Sequence, residues 1–244
     1  MKRRTLDIIF ASGGALLAIA MLVLGLVLMD QYNWGKDYVK EELSQQKIYF
    51  PAADKLTEEE KNWQPGSACL TEYAGKLMET GAQAECYAKY YIGLHIETSA
   101  ANVKFSAPIK VNIGGQDQTL TSLEGQTYAT MGSIRTALAA DQKALADAGN
   151  KTAADARQKD VDATASARTT QQTGETLRGL LLTSYGFSIF GDKANTIAMV
   201  TFVVAALLAL LSIAGFVHAW MAKDAKVFEP KSSSAAPGKT ATVS

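Results

Sequence analysis

The chain has 244 residues, with 24 basic and 24 acidic side chains, formal net charge zero, and 48% apolar residues. That balance argues against a basic nucleic-acid surface and against a long acidic disordered segment. The apolar residues gather in two long runs rather than spreading through amphipathic elements, and this sets the class before any motif is read.

The first run, Ile8 to Met29, has no charge in 22 residues. At about 1.5 Å rise per residue it can cross a hydrocarbon core of roughly 30 Å. Lys2, Arg3 and Arg4 precede it as the n-region of a signal peptide would. Against cleavage, the run exceeds an ordinary h-region, and its end, LGLVLMDQYNW, offers no A-x-A-like site, so an uncleaved anchor is the favoured reading. From Asp30 helical spacing continues through DQYNWGKDYVKEELSQQ and places Tyr38, Glu42 and Gln45 along one face. Pro51 limits that helix, and Thr57 is a candidate cap for a short helix that opens with three glutamates.

Cys69 and Cys86 suit a disulfide in an oxidising compartment, with two buried free thiols as the alternative. The bridge would close a loop of 18 residues and contribute about 3 kcal/mol on the loop-entropy model. The stretch between Cys69 and Ala100 reads as two helices broken or kinked around Thr80 and Gly81. Within it Tyr87, Tyr91 and His95 recur every four residues, which suits either a ligand face or a packing face with His95 hydrogen-bonded at its edge. Ile109, Val111 and Ile113 alternate with polar residues before Gly114 and Gly115, the pattern of a small β-hairpin.

Thr121 and Glu124 have capping-box spacing and predict the start of a long helix, which Gly149 and Asn150 divide into two antiparallel arms. The apolar stretch Gly179 to Gly191 is too short to span a bilayer. It suits either the outer membrane interface or burial in the helical domain. The second long run, with the uncharged core Ile197 to Val217, is a transmembrane helix. Small residues at four-residue spacing, Gly14 with Ala18 and Ala205 with Ala209, allow close helix packing.

Lys223, Lys226 and Lys231 follow the second run as three basic residues precede the first, so the positive-inside rule places both ends in the cytoplasm of a plasma-membrane protein. Tyr32, Trp34 and Trp220 suit the headgroup belts. The expected fold is an all-α membrane protein, with two transmembrane helices flanking a mainly helical extracytoplasmic domain that includes the hairpin. Residues 1–7 form the cytoplasmic N-terminus, 8–29 and 194–220 the spans, 30–193 the outer domain, and 221–244 a disordered cytoplasmic tail rich in Ser, Thr, Ala, Gly and Pro.

The segments YAGKLMETGAQAECYAKYYIGLH and GETLRGLLLTSYGFSIFG, with an IYFP patch at Ile48 to Pro51, resemble an uncharacterised family of actinobacterial two-span membrane proteins. The resemblance covers most of residues 5 to 220 and implies topology rather than activity. Some members of that family carry the label of aromatic ring-opening dioxygenase. The residues here do not support it, because two histidines, His95 in the outer domain and His218 at the inner end of the second span, cannot share an iron.

No G-x-S-x-G elbow, P-loop, GxGxxG or HExxH is present, so no catalytic residue, cofactor or metal ligand is assigned. About 22 residues follow the second span, too few for a cytoplasmic output domain. The apolar cores of the spans, residues 8–29 and 197–217, carry no acid, base or amide to line a polar pore. What remains is a non-enzymatic structural or interaction component of a membrane assembly. Its partners are the lipid bilayer and a membrane protein or a second copy of itself. Gly174, Glu175, Arg178, Tyr185 and Gly186 form the candidate contact, with a packing junction between domain and span as the alternative. The other functional reading is an accessory sensor that binds a ligand through Tyr87, Tyr91 and His95 and acts through a separate cytoplasmic partner.

Overall fold

A computed structural model describes residues 3–221; it is 75% helical, with two long apolar helices and one small antiparallel sheet. Residues 1–2 and the predicted tail from residue 222 onward lie outside the described residues. In chain order the elements are α1 (Arg3–Gln45), α2 (Glu58–Asn62), α3 (Ala68–Glu72), α4 (Gly81–Cys86), a π-helical stretch (Tyr87–Ile92) and α5 (Gly93–Ala101). They are followed by β1 (Lys104–Ile113), β2 (Gln116–Ser122), α6 (Tyr128–Asp147) and α7 (Lys151–Met221). The chain divides into two compact units, one made of the chain up to Tyr32 and from Lys193 onward, the other of Asn33–Asp192.

In the first unit α1 and α7 each contribute a helix long and apolar enough to cross a membrane. Only 11% of the apolar window in α1 and 22% of that in α7 is buried within the structure. The buried positions are small, and all but Thr201 recur every seven residues: Ala11, Ala18 and Gly25 on α1, and Ala198, Ala205, Ser212 and Ala219 on α7. A side chain on Gly14 would meet Ser212, one on Gly25 would meet the Phe202 ring, and one on Gly215 would meet Ala11. These pairs run in opposite directions along the chain, so the two segments are antiparallel. The buried hydroxyls are satisfied within their own helix, Thr201 donating to the Ile197 carbonyl and Ser212 to that of Leu208.

The second unit begins with the end of α1, where Val39 and Leu43 turn inward while Tyr38, Glu42 and Gln45 remain exposed. Lys47 adopts a left-handed conformation with φ 53° and stops the helix. The IYFP segment then pairs with residues 76–78: the Phe50 N–H donates to the Lys76 carbonyl and the Met78 N–H to that of Ile48, both at 2.9 Å. Thr57 caps α2 and forms a reciprocal capping box with Glu60. Cys69 and Cys86 are bonded, with Cα atoms 6.2 Å apart. The predicted kink at Thr80 is a wider break over residues 73–80, after which Thr80 caps α4 through its own box with Gln83.

The hairpin forms as the glycine pair predicts, because Gly114 and Gly115 take φ 62° and 86°, the positive values that a tight two-residue turn requires. Its first strand begins earlier than the alternation indicates, and the register shifts between Lys104 and Ile109, where Pro108 has no N–H to give the ladder. The predicted capping box is displaced. Thr121 lies in β2, Glu124 pairs with Lys104 at 3.7 Å, and α6 is capped by Thr127, which exchanges hydrogen bonds with Thr130. Because β2 runs to Ser122, the helix cap falls at Thr127, six residues beyond Thr121.

Gly149, at φ 76°, reverses the chain between α6 and α7. The arms are antiparallel: Arg157 pairs with Asp141, and Arg168 donates to the Tyr128 carbonyl. Leu123, Met131, Ile134 and Leu138 pack with Ile109, Val111 and Val161 in one core cluster. A second cluster joins Leu43, Phe50, Leu70, Met78 and Leu181. Residues 179–191 are not a separate segment but part of α7. Leu181 is 1% exposed in that core, whereas Leu180, Phe187 and Phe190 are 63%, 65% and 76% exposed on the other side.

Candidate functional site

Two clefts flank the line where α5 packs on α7, and both lie within the second unit. The helices approach closely because Gly174 faces Ile96; a Cβ at Gly174 would lie 2.7 Å from Ile96 Cγ1. Gly174 is therefore a packing position between α5 and α7.

The first cleft, about 550 Å3, is lined by Tyr91, His95, Ser166, Thr169, Thr170 and Thr173. Tyr87, Tyr91 and His95 do form a continuous ladder, with ring centroids 4.8 Å and then 4.5 Å apart. The residues from Tyr87 to Ile92 wind as a π-helix rather than the α-helix that the spacing indicates, a local widening common at functional sites. The ladder is graded in burial. Tyr87 stands edge-on to Phe50 and packs in the core, where burial, reinforced by Tyr91, pushes its hydroxyl up to about 12. Tyr91 and His95 reach the cleft and Tyr87 does not.

His95 Nε2 lies 2.9 Å from Oε1 of Glu60, a carboxylate that is itself 6% exposed. Burial alone would raise the Glu60 carboxyl. The hydrogen bonds from the Thr57 N–H, the Thr57 hydroxyl and His95 outweigh it and hold the group below its ordinary value. The Thr57 cap therefore fixes the partner that orients His95.

The second cleft, about 360 Å3, has Trp63 on one wall and Glu97, Gln126, Gln171, Glu175 and Arg178 around it. Trp63 lies against α5 at Gly93, where a Cβ would come within 3.2 Å of the indole. Gln171 is 9% exposed, and its Nε2 donates to the Gln126 carbonyl at 2.9 Å. A carbonyl partner requires the nitrogen on that side, which fixes the amide orientation. Its Oε1, like the Nε of Arg178, is buried without a hydrogen-bond partner. Arg178 Nη1 holds Glu175 at 3.3 and 3.4 Å. Buried polar groups are nearly always paired, so these two atoms are exceptions to that rule among the described residues.

Of the residues singled out for partner contact, Glu175 and Arg178 thus border this cleft. Tyr185 lies elsewhere on α7, its hydroxyl bonded to Glu85 and raised by burial and by that carboxylate. Lys89, bonded to Glu85 at 2.6 Å, lies 6.0 Å from the Tyr185 ring centre. Gly186 has open space where a side chain would project. Sequence reasoning missed Glu60, Trp63, Glu97 and Gln171. The last was legible in part, since Gln171, Glu175 and Arg178 share one helical face at i, i+4 and i+7.

Among the described residues no group of three or more His, Cys, Asp or Glu side chains could hold a metal ion. His218 is bonded to Asp7 at 3.1 Å, away from the Glu60–His95 pair in both sequence and unit. The chain matches no family model, no curated protein and no solved structure at a significant level.

Proposed function

We propose that this is a non-enzymatic, two-span protein of the plasma membrane, with both termini in the cytoplasm and residues 33–192 outside. In this reading it serves as an interaction component of an envelope membrane assembly, with the architecture of the actinobacterial two-span family that it resembles. The observation that carries the membrane reading is the exposure of both apolar windows, 89% of one and 78% of the other being the unburied remainder of the 11% and 22% that are buried. Apolar surface on that scale is stable only against lipid or protein. The basic residues beside each run and the disulfide between Cys69 and Cys86 support the orientation.

The interaction role draws on the exposed face of α7 formed by Leu180, Phe187 and Phe190, which lies just before the apolar window in the chain. Its occupant in this reading is a helix of a second membrane protein that also carries an apolar outer face. Two experiments test the proposal. A cysteine introduced at Ala139 should react with a membrane-impermeant maleimide in intact cells, and one at Ser232 only after permeabilisation; the reverse pattern would overturn the topology. Protein extracted at native level in mild detergent should retain a stoichiometric membrane partner that the double variant Phe187→Ser, Phe190→Ser loses. A wild-type protein recovered alone, at the mass of one chain, would refute the interaction role.

A second reading, an accessory sensor or ligand-binding protein acting through a separate cytoplasmic partner, is favoured by one observation: Tyr91 and His95, from the face singled out in the sequence, line a cleft of about 550 Å3.

A further inference from the structure

The exposed face of α7 within the second unit has a regular spacing that narrows what can cover it. Leu180, Thr183, Phe187 and Phe190 are all exposed and alternate steps of three and four residues, the spacing of a heptad stripe. No charged residue occurs between Gly179 and Gly191. The Thr183 hydroxyl donates to the Gly179 carbonyl of its own helix at 2.9 Å, so it needs no polar partner across the face.

Two glycines stand beside this stripe. Glycine weakens a helix relative to alanine, so its presence inside one calls for a reason. Gly174 has one within the chain, the close approach of Ile96. Gly179 and Gly186 do not, because a Cβ at either would meet nothing within 4 Å. They lie seven residues apart, and each directly precedes a large member of the stripe, Leu180 or Phe187.

In a parallel helix pair a side chain of the stripe enters a hole formed by four residues of the facing helix. If that helix is identical, the hole for Phe187 consists of Thr183, Gly186, Phe187 and Phe190, and the hole for Leu180 consists of Thr176, Gly179, Leu180 and Thr183. In each case the glycine supplies the room. Large side chains and the hollows that receive them thus lie on one face, which makes the face complementary to itself. Two copies inserted in a membrane the same way present parallel α7 helices with identical residues at equal height, as a two-fold axis along the membrane normal requires. The absence of charge on the face means that this symmetry brings no like charges together.

We propose that α7 pairs with the α7 of a second copy of this chain, in parallel, through the face from Gly179 to Phe190. The pairing rests on the interaction reading above and names its partner.

The test uses the full chain in native membranes. The sequence contains only Cys69 and Cys86, which are bonded to each other, so an introduced cysteine is the one free thiol. Thr183→Cys chains carrying two different tags are co-expressed and treated with a short bis-maleimide. A product bearing both tags is expected, at least tenfold above that from Ala139→Cys, which is exposed on α6. Adding Gly186→Leu fills the hole for Phe187 and should reduce the product tenfold or more. Because Gly186 faces open space, the thermal transition of that variant should match its parent; Gly179→Leu repeats the test at the other hole.

A two-tag product indifferent to both glycine variants would overturn this packing. Crosslinking of Thr183→Cys only to a different membrane protein, lost in Gly186→Leu, would overturn the second copy as partner and leave the interaction reading standing. No crosslinked product, with the chain recovered alone from mild detergent, would overturn both.

Discussion

Replacing Arg157 by methionine should loosen the hairpin from the helical arm. The guanidinium is 4% exposed and makes four contacts: Asp141 at 2.7 Å, Asp160 at 3.0 Å, and the Ala107 and Pro108 carbonyls of β1 at 2.9 and 3.4 Å. Removing one partner of a buried ion pair costs about 3–5 kcal/mol, because the remaining charge is left uncompensated. Asp141 is partly exposed and recovers water, whereas Asp160 is 6% exposed and keeps only the Ser106 N–H and hydroxyl, the latter at 2.6 Å. Those surviving bonds place the loss at the lower end, about 3 kcal/mol, or roughly a hundredfold in a local opening equilibrium. Hydrogen exchange of the full chain in nanodiscs reads this directly as the protection of the ladder amides between Ile109 and Leu120. Adding Asp160→Asn to Arg157→Met should restore part of the protection by removing the stranded charge. A change below threefold in the single variant would refute the account, since the clamp would then contribute nothing beyond backbone pairing.

The remaining predictions concern the disulfide, Glu60 and the helix pair. The double variant Cys69→Ser, Cys86→Ser should lose about 3 kcal/mol in urea unfolding, and reductant should do the same to the wild type but not to the variant. Glu60 titrates below its ordinary value of 4.5 when folded, so its contribution is complete above about pH 4.5 and fades as pH falls through the lower folded value. Acid unfolding monitored below pH 4.5 should be shallower in Glu60→Gln, and an identical profile would count against the pairing with Thr57 and His95. Ala205→Leu should overpack the small-residue seam at a cost of about 1–3 kcal/mol. Oxidative crosslinking of Gly14→Cys with Ser212→Cys reads the seam: efficient in the native background, it should fall in the presence of Ala205→Leu.

The two apolar runs, the glycine hairpin turn, the Thr57 cap and the reversal at Gly149 were all legible in the sequence. Each depends on residues close together in the chain: unbroken hydropathy, positive φ, or a side chain that reaches its own backbone three residues on. The cysteine pair was legible for a different reason, because only two candidates exist. Tertiary structure decided the rest. Thr121 and Glu124 had the right spacing for a cap, but the strand β2 extends through Thr121 and left the role to Thr127. Tyr87, Tyr91 and His95 shared a face as the spacing required, yet only packing against Phe50 determined that Tyr87 is core while the other two border a cleft. The Trp63 cleft joins residues more than a hundred positions apart, and its unpartnered amide and guanidinium atoms arise from what does not surround them. No local pattern encodes that, because satisfaction of a buried polar atom is a property of the whole packed arrangement.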